Sequence, residues 1–387
     1  MLKNVVILGS TGSVGMQALE VIQASPDLKV IGLAAGRNWC RILEQARTLG
    51  VPKVALWDVQ AAADAERNKA SMKLEDLEIL SGQDGVEQLA SLPDAHTVLH
   101  AVPGFLGVKL LLRSLESGKR VALAGKEALV SAGDLVARYV QKAMVLPVDS
   151  EHSAVFQCMH GENPQAVDYI TLTASGGAFR DLSKDELSRV TPAQALKHPT
   201  WRMGPKITVD SATLFNKTLE VMEAHYLFGL PYDKIKVVIH RESIVHSMVT
   251  FKDGSTKAQL APPDMRLPIA YALNYPERKT SIVKDTGAFA GTLTFQEPDL
   301  ERFPCLSLGY EAGQLGGTAP CVLSAADEIV VEAFLSGEVK FTEIYTILKA
   351  VLDRCQPKPA TSVDVLEQEA KRAASETRKV IEKLARR

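Results

Sequence analysis

From its N-terminus to Asp149 the chain alternates short apolar runs with helix-length segments, and this alternation constrains the fold more than any other feature. Val5–Leu8, Lys29–Leu33, Lys53–Leu56, Thr97–Val102, Arg120–Leu123 and Val145–Val148 read as strands. Most are continuously apolar, as parallel strands buried on both faces are. Gly15–Ala24 and Cys40–Leu49 are helical spacers between them. Repeated units of this kind predict a doubly wound, Rossmann-like α/β domain over residues 1–149.

Past Asp149 the pattern changes to α+β. Tyr169–Ala174, Lys234–His240, Val245–Phe251 and Thr256–Ala261 read as a second sheet. The last three follow one another with turn signals such as Lys252-Asp253-Gly254, which predicts an antiparallel meander. A helix is expected over Ser211–Phe228. The polar, proline-bounded stretch 176–206 carries one short helix, Lys184–Val190, and is otherwise irregular. A loop of that length is a lid or is disordered, and Trp201 and Met203 near its end favour a lid. The expected division is a catalytic domain at 150–280, a connector at 281–303 and a helical domain at 304–387. Helices are expected over Ser324–Ser336, Phe341–Arg354 and Val363–Arg387.

Gly9-Ser10-Thr11-Gly12-Ser13-Val14-Gly15 lies between the first strand and the first helix. Glycines there permit a tight turn and close approach of a pyrophosphate, which the helix N-terminus attracts. The spacing is GxxGxxG rather than GxGxxG, so an ordinary glycine-rich turn is the competing reading. The second strand ends in Gly36-Arg37-Asn38, without the acid that takes a ribose 2′-hydroxyl. An arginine in its place suits a 2′-phosphate, so NADP(H) is favoured over NAD(H).

Charge excludes one class of partner. The net charge of -2 gives no basic excess for nucleic acid. Five scattered cysteines without a CxxC pair argue against a disulfide framework or a zinc site and for a reducing compartment. An apolar strand begins within a few residues of Met1, and no apolar run is long enough to span a bilayer, so a cytoplasmic location is expected.

Asp149-Ser150-Glu151 follows a strand's carboxyl end, where open α/β sheets place ligands. In the helix after Asp210-Ser211, Asn216, Lys217 and Glu220 fall on one patch. Converging carboxylates would suit a hard divalent cation, Mg²⁺ or Mn²⁺ with Co²⁺ as a further candidate. Taken singly, Asp210 or Ser211 reads equally as an N-cap, and Lys217 with Glu220 as a surface pair. Asp58 lies outside every motif, and Asp58→Asn is expected to be close to neutral.

These segments, with Gly125-Lys126-Glu127, Pro147–His152, Ser175-Gly176-Gly177, His198–Gly204, Asp210–Glu220 and Pro263–Arg266, occur in an order and spacing that resembles 1-deoxy-D-xylulose 5-phosphate reductoisomerase over essentially the whole chain. The resemblance implies that Thr11, Gly12, Ser13, Val14, Gly36, Arg37, Asn38, Glu127 and Gly204 hold NADPH, and that Asp149, Glu151 and Glu220 ligate the metal. It implies that Lys126, Ser150, Glu151, Ser175, His198, Ser211, Asn216, Lys217 and Glu220 contact the substrate, with Ser175, Ser211, Asn216 and Lys217 at its phosphate end. Trp201 and Met203 match the lid, and Lys126 and Glu151 are the candidates for proton transfer. One position departs: Gly125 stands where the family usually has asparagine.

The activity so implied is rearrangement of 1-deoxy-D-xylulose 5-phosphate and its reduction by NADPH to 2-C-methyl-D-erythritol 4-phosphate, in the non-mevalonate route to isoprenoids. A homodimer is implied too, for which the meander could supply the interface. Two other readings compete. A semialdehyde-type dehydrogenase would need a reactive cysteine, and Cys158 lies near His152 and His160 in sequence, although helical spacing with Ala154 and Val155 suggests burial. A non-catalytic NADP-binding protein would not need the three carboxylates.

Overall fold

The computed structural model describes residues 2–284 and 291–385. Its strands are β1 Lys3–Leu8, β2 Leu28–Ala35, β3 Lys53–Leu56, β4 Glu78–Ser81, β5 Thr97–His100, β6 Arg120–Leu123, β7 Val145–Pro147, β8 Val167–Ala174, β9 Ile235–Ile239, β10 Val245–Phe251 and β11 Thr256–Leu260. The helices begin with α1 Ser13–Gln23, α2 Trp39–Leu49, α3 Val59–Asn68, α4 Gly82–Ala90, α5 Gly107–Glu116, α6 Lys126–Val140 and α7 Ser150–Met159. They continue with α8 Lys184–Leu187, α9 Pro192–Ala195, α10 Pro205–Thr213, α11 Phe215–Phe228 and α12 Arg266–Asn274. The last four are α13 Cys305–Leu315, α14 Ala319–Leu335, α15 Glu343–Asp353 and α16 Val363–Ala385.

The chain forms two compact units. The first comprises Met1–Gly125, Arg138–Ser153 and Asp264–Lys284. Its sheet is wholly parallel, in the order β4-β3-β2-β1-β5-β6-β7, so the strand order reverses beside β1. That reversal opens a crevice at the carboxyl ends of β1 and β5, where such sheets bind ligands. One face packs Val6, Leu8, Ala34 and Val98 of the sheet against Val86, Leu89 and Leu110 of α4 and α5. Each buried valine or leucine among them contributes roughly 1.5–3 kcal/mol. The expected strands are all present. The sequence reading passed over β4, an edge strand with no fully buried residue and hence no continuous apolar run.

The second unit comprises Lys126–Ala137, Ala154–Pro263 and Asp285–Arg387. Its sheet has the order β11-β10-β8-β9. The expected meander is therefore corrected. β10 and β11 form a hairpin, but β8 lies between β9 and β10, parallel to the first and antiparallel to the second. Burial explains the order: β8 and β10 are mostly buried and take the centre, while β9 and β11 carry exposed positions and take the edges.

Two further expectations change. The single helix expected over Ser211–Phe228 is two helices, α10 and α11, broken at Leu214 with φ +61°. Asp210 is consequently inside α10, whose N-cap is Gly204, and neither Asp210 nor Ser211 caps a helix. The stretch 176–206 is also less irregular than expected. Beside α8, shorter than expected, it holds α9, started by Pro192 in its first turn and by a Thr191–Gln194 capping box. Of the expected connector, residues 285–290 lie outside the described residues, as does the end of the last expected helix at residues 386–387. No helix among the described residues is long and apolar enough to cross a membrane.

Candidate active site

In the first unit the glycine-rich loop leaves β1 at the sheet's reversal. Gly9 and Ser10 donate their N–H groups to the Ala34 carbonyl, and Gly12 donates to Gly9, which folds the loop tightly. Gly12 caps α1 without a side-chain hydrogen bond, so the helix keeps N–H groups for an anion. A Cβ on Gly15 would lie 2.2 Å from the Gly9 carbonyl oxygen, so only glycine lets the helix start this close to the turn. Thr11, Gly12, Ser13 and Val14 are at least partly exposed on that loop. These features fit a dinucleotide pyrophosphate.

Gly36, Arg37 and Asn38 follow β2 and are exposed. Asn38 caps α2 by accepting from the Arg41 N–H. The Arg37 guanidinium is 87% exposed and donates to Asp58 at 2.9 Å. Asp58 also caps α3 through the Ala61 N–H. Asp58 thus has two partners, and asparagine can still accept from the Ala61 N–H, so Asp58→Asn bears only on the exposed Arg37 contact. Arg37→Asp should weaken NADPH far more than NADH, since it removes a charge-assisted pair and adds repulsion toward a 2′-phosphate. An unchanged ratio of kcat/KM for the two cofactors would show that Arg37 does not read that phosphate.

At Gly125 a Cβ would meet the Val102 carbonyl oxygen at 2.4 Å and the His100 imidazole at 3.1 Å. The family's asparagine has no room on this backbone, so the departure is built into the packing. Asp149 follows β7, and Ser150 and Glu151 open α7. The Ser150 hydroxyl donates to the Glu151 carboxylate.

In the second unit Lys126 and Glu127 open α6, while Asn216, Lys217 and Glu220 share one face of α11. Lys126 Nζ donates to Asn216 Oδ1 at 3.0 Å and to Glu220 Oε1 at 3.1 Å. Asn216 also donates to Glu220, and Lys217 Nζ donates to Glu220 Oε2 and to the Thr173 carbonyl at 2.5 Å each. Glu220 is fully buried. A surface pair of Lys217 and Glu220 is thereby excluded. Both Glu220 oxygens accept from Lys126, Asn216 and Lys217, and a hard divalent cation would have to take the place of one of these groups.

A second polar set lies on the same unit. His198 Nε2 is 3.0 Å from Ser175 Oγ and 3.1 Å from Ser211 Oγ. Its Nδ1 accepts the backbone N–H groups of Thr200 and Trp201 at 3.1 and 2.8 Å. That fixes the tautomer with the proton on Nε2, aimed at the two hydroxyls. Gly177, at φ +72°, presses against Ser211, and this approach brings Ser175 to α10. Burial first, and then the Arg180 charge, lower the His198 pKa from 6.5 to about 4. Protonation at Nδ1 would also confront two N–H donors. Because the folded pKa is depressed, the stability His198 confers is complete above pH 6.5 and is lost as pH falls toward 4. Acidification across that window should lower Tm more in wild type than in His198→Asn, and NMR should show no His198 titration above pH 5.5. A midpoint near 6.5 would contradict it.

Trp201 and Met203 are half-buried, and the Trp201 ring lies 6.3 Å from that of His246. Gly204 is exposed at the start of α10. Cys158 is buried, and burial raises its thiol to about 11, which removes it as a nucleophile at neutral pH.

The sequence reading missed Lys206 and Asp327. Lys206 Nζ lies 2.6 Å from Asp327, 2.8 Å from Asp210 and 3.7 Å from Glu127. The available signals were the i,i+4 spacing of Lys206 and Asp210 and an aspartate inside the apolar run Ala319–Val331.

Comparison with known proteins gives the family. A family model described as 1-deoxy-D-xylulose 5-phosphate reductoisomerase matches residues 5–133, and two for the C-terminal domains of that enzyme match residues 145–228 and 260–377. A relative of that name from Pelotomaculum thermopropionicum is 51% identical over 91% of this chain and 92% of its own. One from Desulforamulus reducens is 50% identical over 92% and 93%. Among solved structures, the Zymomonas mobilis enzyme in complex with NADPH matches with a TM-score of 0.90 at 36% identity, covering 99% of this chain and 100% of that one. A DOX-P reductoisomerase complex with NADPH, fosmidomycin and magnesium matches with a TM-score of 0.93 at 37% identity, covering 99% of both chains.

Proposed function

This chain belongs to the 1-deoxy-D-xylulose 5-phosphate reductoisomerase family, and from that premise we propose which of its residues carry the reaction. It is an NADP-dependent oxidoreductase that converts 1-deoxy-D-xylulose 5-phosphate to 2-C-methyl-D-erythritol 4-phosphate with NADPH and a divalent metal, on the non-mevalonate route to isoprenoids.

The observation that carries the assignment is the gathering of Lys126, Asn216 and Lys217 on the buried carboxylate of Glu220. Thr11, Gly12, Ser13 and Val14 hold the NADPH pyrophosphate, Gly36, Arg37 and Asn38 its 2′-phosphoribose end, and Glu127 and Gly204 complete its contacts. Asp149, Glu151 and Glu220 hold the cation. When bound, the cation supplies Lewis acidity that polarises the substrate ketone. Lys126 offers an ammonium proton and Glu151 a carboxylate base for the proton transfers, and Ser150 orients Glu151. Ser175, Ser211 and the Nε2–H of His198 bind phosphate oxygens, as do Asn216 and Lys217 once the substrate draws them from Glu220. Binding energy from the phosphate is thus available to orient the reacting carbons.

Trp201 and Met203 cover the sugar and exclude water from the aldehyde intermediate. With Trp39 and Trp57 replaced by phenylalanine, Trp201 fluorescence should become shielded from acrylamide when a phosphonate analogue saturates the site. Unchanged quenching would remove the lid role. The enzyme acts as a cytoplasmic homodimer. Sedimentation of the purified protein tests the dimer: a monomer at assay concentration would refute it.

The deciding assay is stoichiometric NADPH oxidation with the xylulose phosphate, with and without divalent metal. Metal-independent oxidation, or none with this sugar, would overturn the assignment.

A further inference from the structure

Lys206 closes the stretch 176–206 and is itself assigned no contact with cofactor, metal or substrate, yet its surroundings are unusual. Its stem is partly exposed, but Nζ is out of contact with solvent among Asp327 at 2.6 Å, Asp210 at 2.8 Å and Glu127 at 3.7 Å. Asp210 and Asp327 are 1% and 0% exposed. Lys206 Nζ, Asp210 Oδ1 and both Asp327 oxygens lack a well-formed hydrogen bond, so the cluster is held by charge. The Lys206 ammonium also faces the Phe215 ring at 5.8 Å, at the start of α11.

Such a cluster is a poor device for stability. Each buried charge loses its hydration, and apolar replacement of all members of a buried ion group is commonly neutral or stabilising. Burial raises Asp327 to about 6 and Asp210 well above the usual carboxylate range. Burial works against the Lys206 charge too, but Asp210, Asp327 and Glu127 together hold it well above its ordinary value. The ammonium therefore stays charged, and what it supplies is a fixed direction.

Three helices meet at that point: α10 through Lys206 and Asp210, α14 through Asp327, and the first turn of α6 through Glu127. The residue before Glu127 is Lys126, whose ammonium reaches Asn216 and Glu220. Two consecutive side chains at the start of α6 are thus tied in two directions, one to α11 and one to α10.

We propose that Lys206 is a positioning residue for the reaction: through Glu127 it fixes the first turn of α6, and so sets where Lys126 stands relative to Glu220 and Asn216. The proposal rests on the reading of Lys126 as a residue of the reacting site.

The test is a double-mutant cycle between Lys206→Met and Glu127→Gln in the full-length enzyme, with Lys126→Met and Asp327→Asn beside it. Steady-state kcat, KM for the sugar phosphate, NADPH Kd by fluorescence and Tm are read for each. Misplacement of a reacting group by about 1 Å can cost on the order of 100-fold. Lys206→Met should therefore lower kcat per folded enzyme by about that factor, with KM for the sugar phosphate within about threefold, read well below a Tm that falls because Asp210 and Asp327 lose their counter-charge. In the Glu127→Gln background the same substitution should cost less than about threefold more, because its route is already cut. Asp327→Asn leaves the Lys206–Glu127 contact and should keep most of kcat. Wild-type kcat in Lys206→Met overturns the proposal, as does a full additive loss in the Glu127→Gln background. A loss of kcat matched by a loss of folded protein would make Lys206 structural only. Should Lys206→Met not fold, Lys206→Gln carries the same comparisons. Normal turnover in Lys126→Met would instead sink the reading of Lys126, whatever Lys206→Met shows.

Discussion

Replacing Glu220 by glutamine lowers turnover by about three orders of magnitude or more and leaves NADPH affinity within about threefold of wild type, because Lewis-acid stabilisation is commonly worth several kcal/mol and the nucleotide loop lies in the other unit. The structure makes the expected loss larger than removal of one metal ligand alone. Glu220 accepts from Lys126, Asn216 and Lys217, and it is fully buried. The amide keeps the shape but removes the counter-charge of two ammonium groups, and an uncompensated buried charge is costly. Lys126 and Lys217 should then turn away from their positions, so substrate KM rises together with the fall in kcat. Glu220→Asp keeps the charge but shortens the reach, and it should recover part of the metal affinity and little of the rate. The measurement is titration of Mn²⁺ binding and of activity for both variants. Wild-type metal affinity and turnover in Glu220→Gln would remove Glu220 from the metal site.

The difference between what was and was not legible in the sequence follows from the kind of signal each feature leaves. The parallel sheet announces itself because strands buried on both faces must be apolar throughout, as Val5–Leu8 is. The edge strand β4 leaves no such run. The order of the second sheet is a tertiary choice: nearness in sequence suggested β9 beside β10, but the more buried β8 took that place. The break at Leu214 is a left-handed residue of a type that rarely adopts that conformation, so neither propensity nor spacing marks it. Within the site, Asn216, Lys217 and Glu220 were readable because α11 places them by helical spacing alone. The Lys206 cluster joins α6, α10 and α14, which are far apart in sequence, and its parts look like ordinary helix residues one at a time.

Gly177 shows the same point at a single backbone position, and Gly177→Ala should be a damaging small substitution in the second unit. Gly177 has φ +72°, which costs an alanine about 1 kcal/mol. Strain of that size alone would be tolerable, as Gly229→Ala should demonstrate, since Gly229 has φ +67° and open space beside it. At Gly177 the added Cβ would stand 2.3 Å from the Ser211 carbonyl oxygen and 2.8 Å from the Ala212 Cα. Both are backbone atoms of α10, so no side chain can rotate away, and the loop must withdraw from the helix. That withdrawal separates Ser175 from Ser211, the two hydroxyls that flank His198 Nε2. The expected result is a rise in KM for the sugar phosphate of about 10- to 100-fold with a fall in kcat, because phosphate binding is used to orient the reacting end. NADPH binding should hold, since the glycine-rich loop belongs to the first unit. Gly229→Ala should lose about 1 kcal/mol of stability and keep its kinetic constants. If Gly177→Ala and Gly229→Ala behave alike, backbone conformation rather than close approach sets the role of Gly177, and the Ser175–His198–Ser211 set does not depend on that contact.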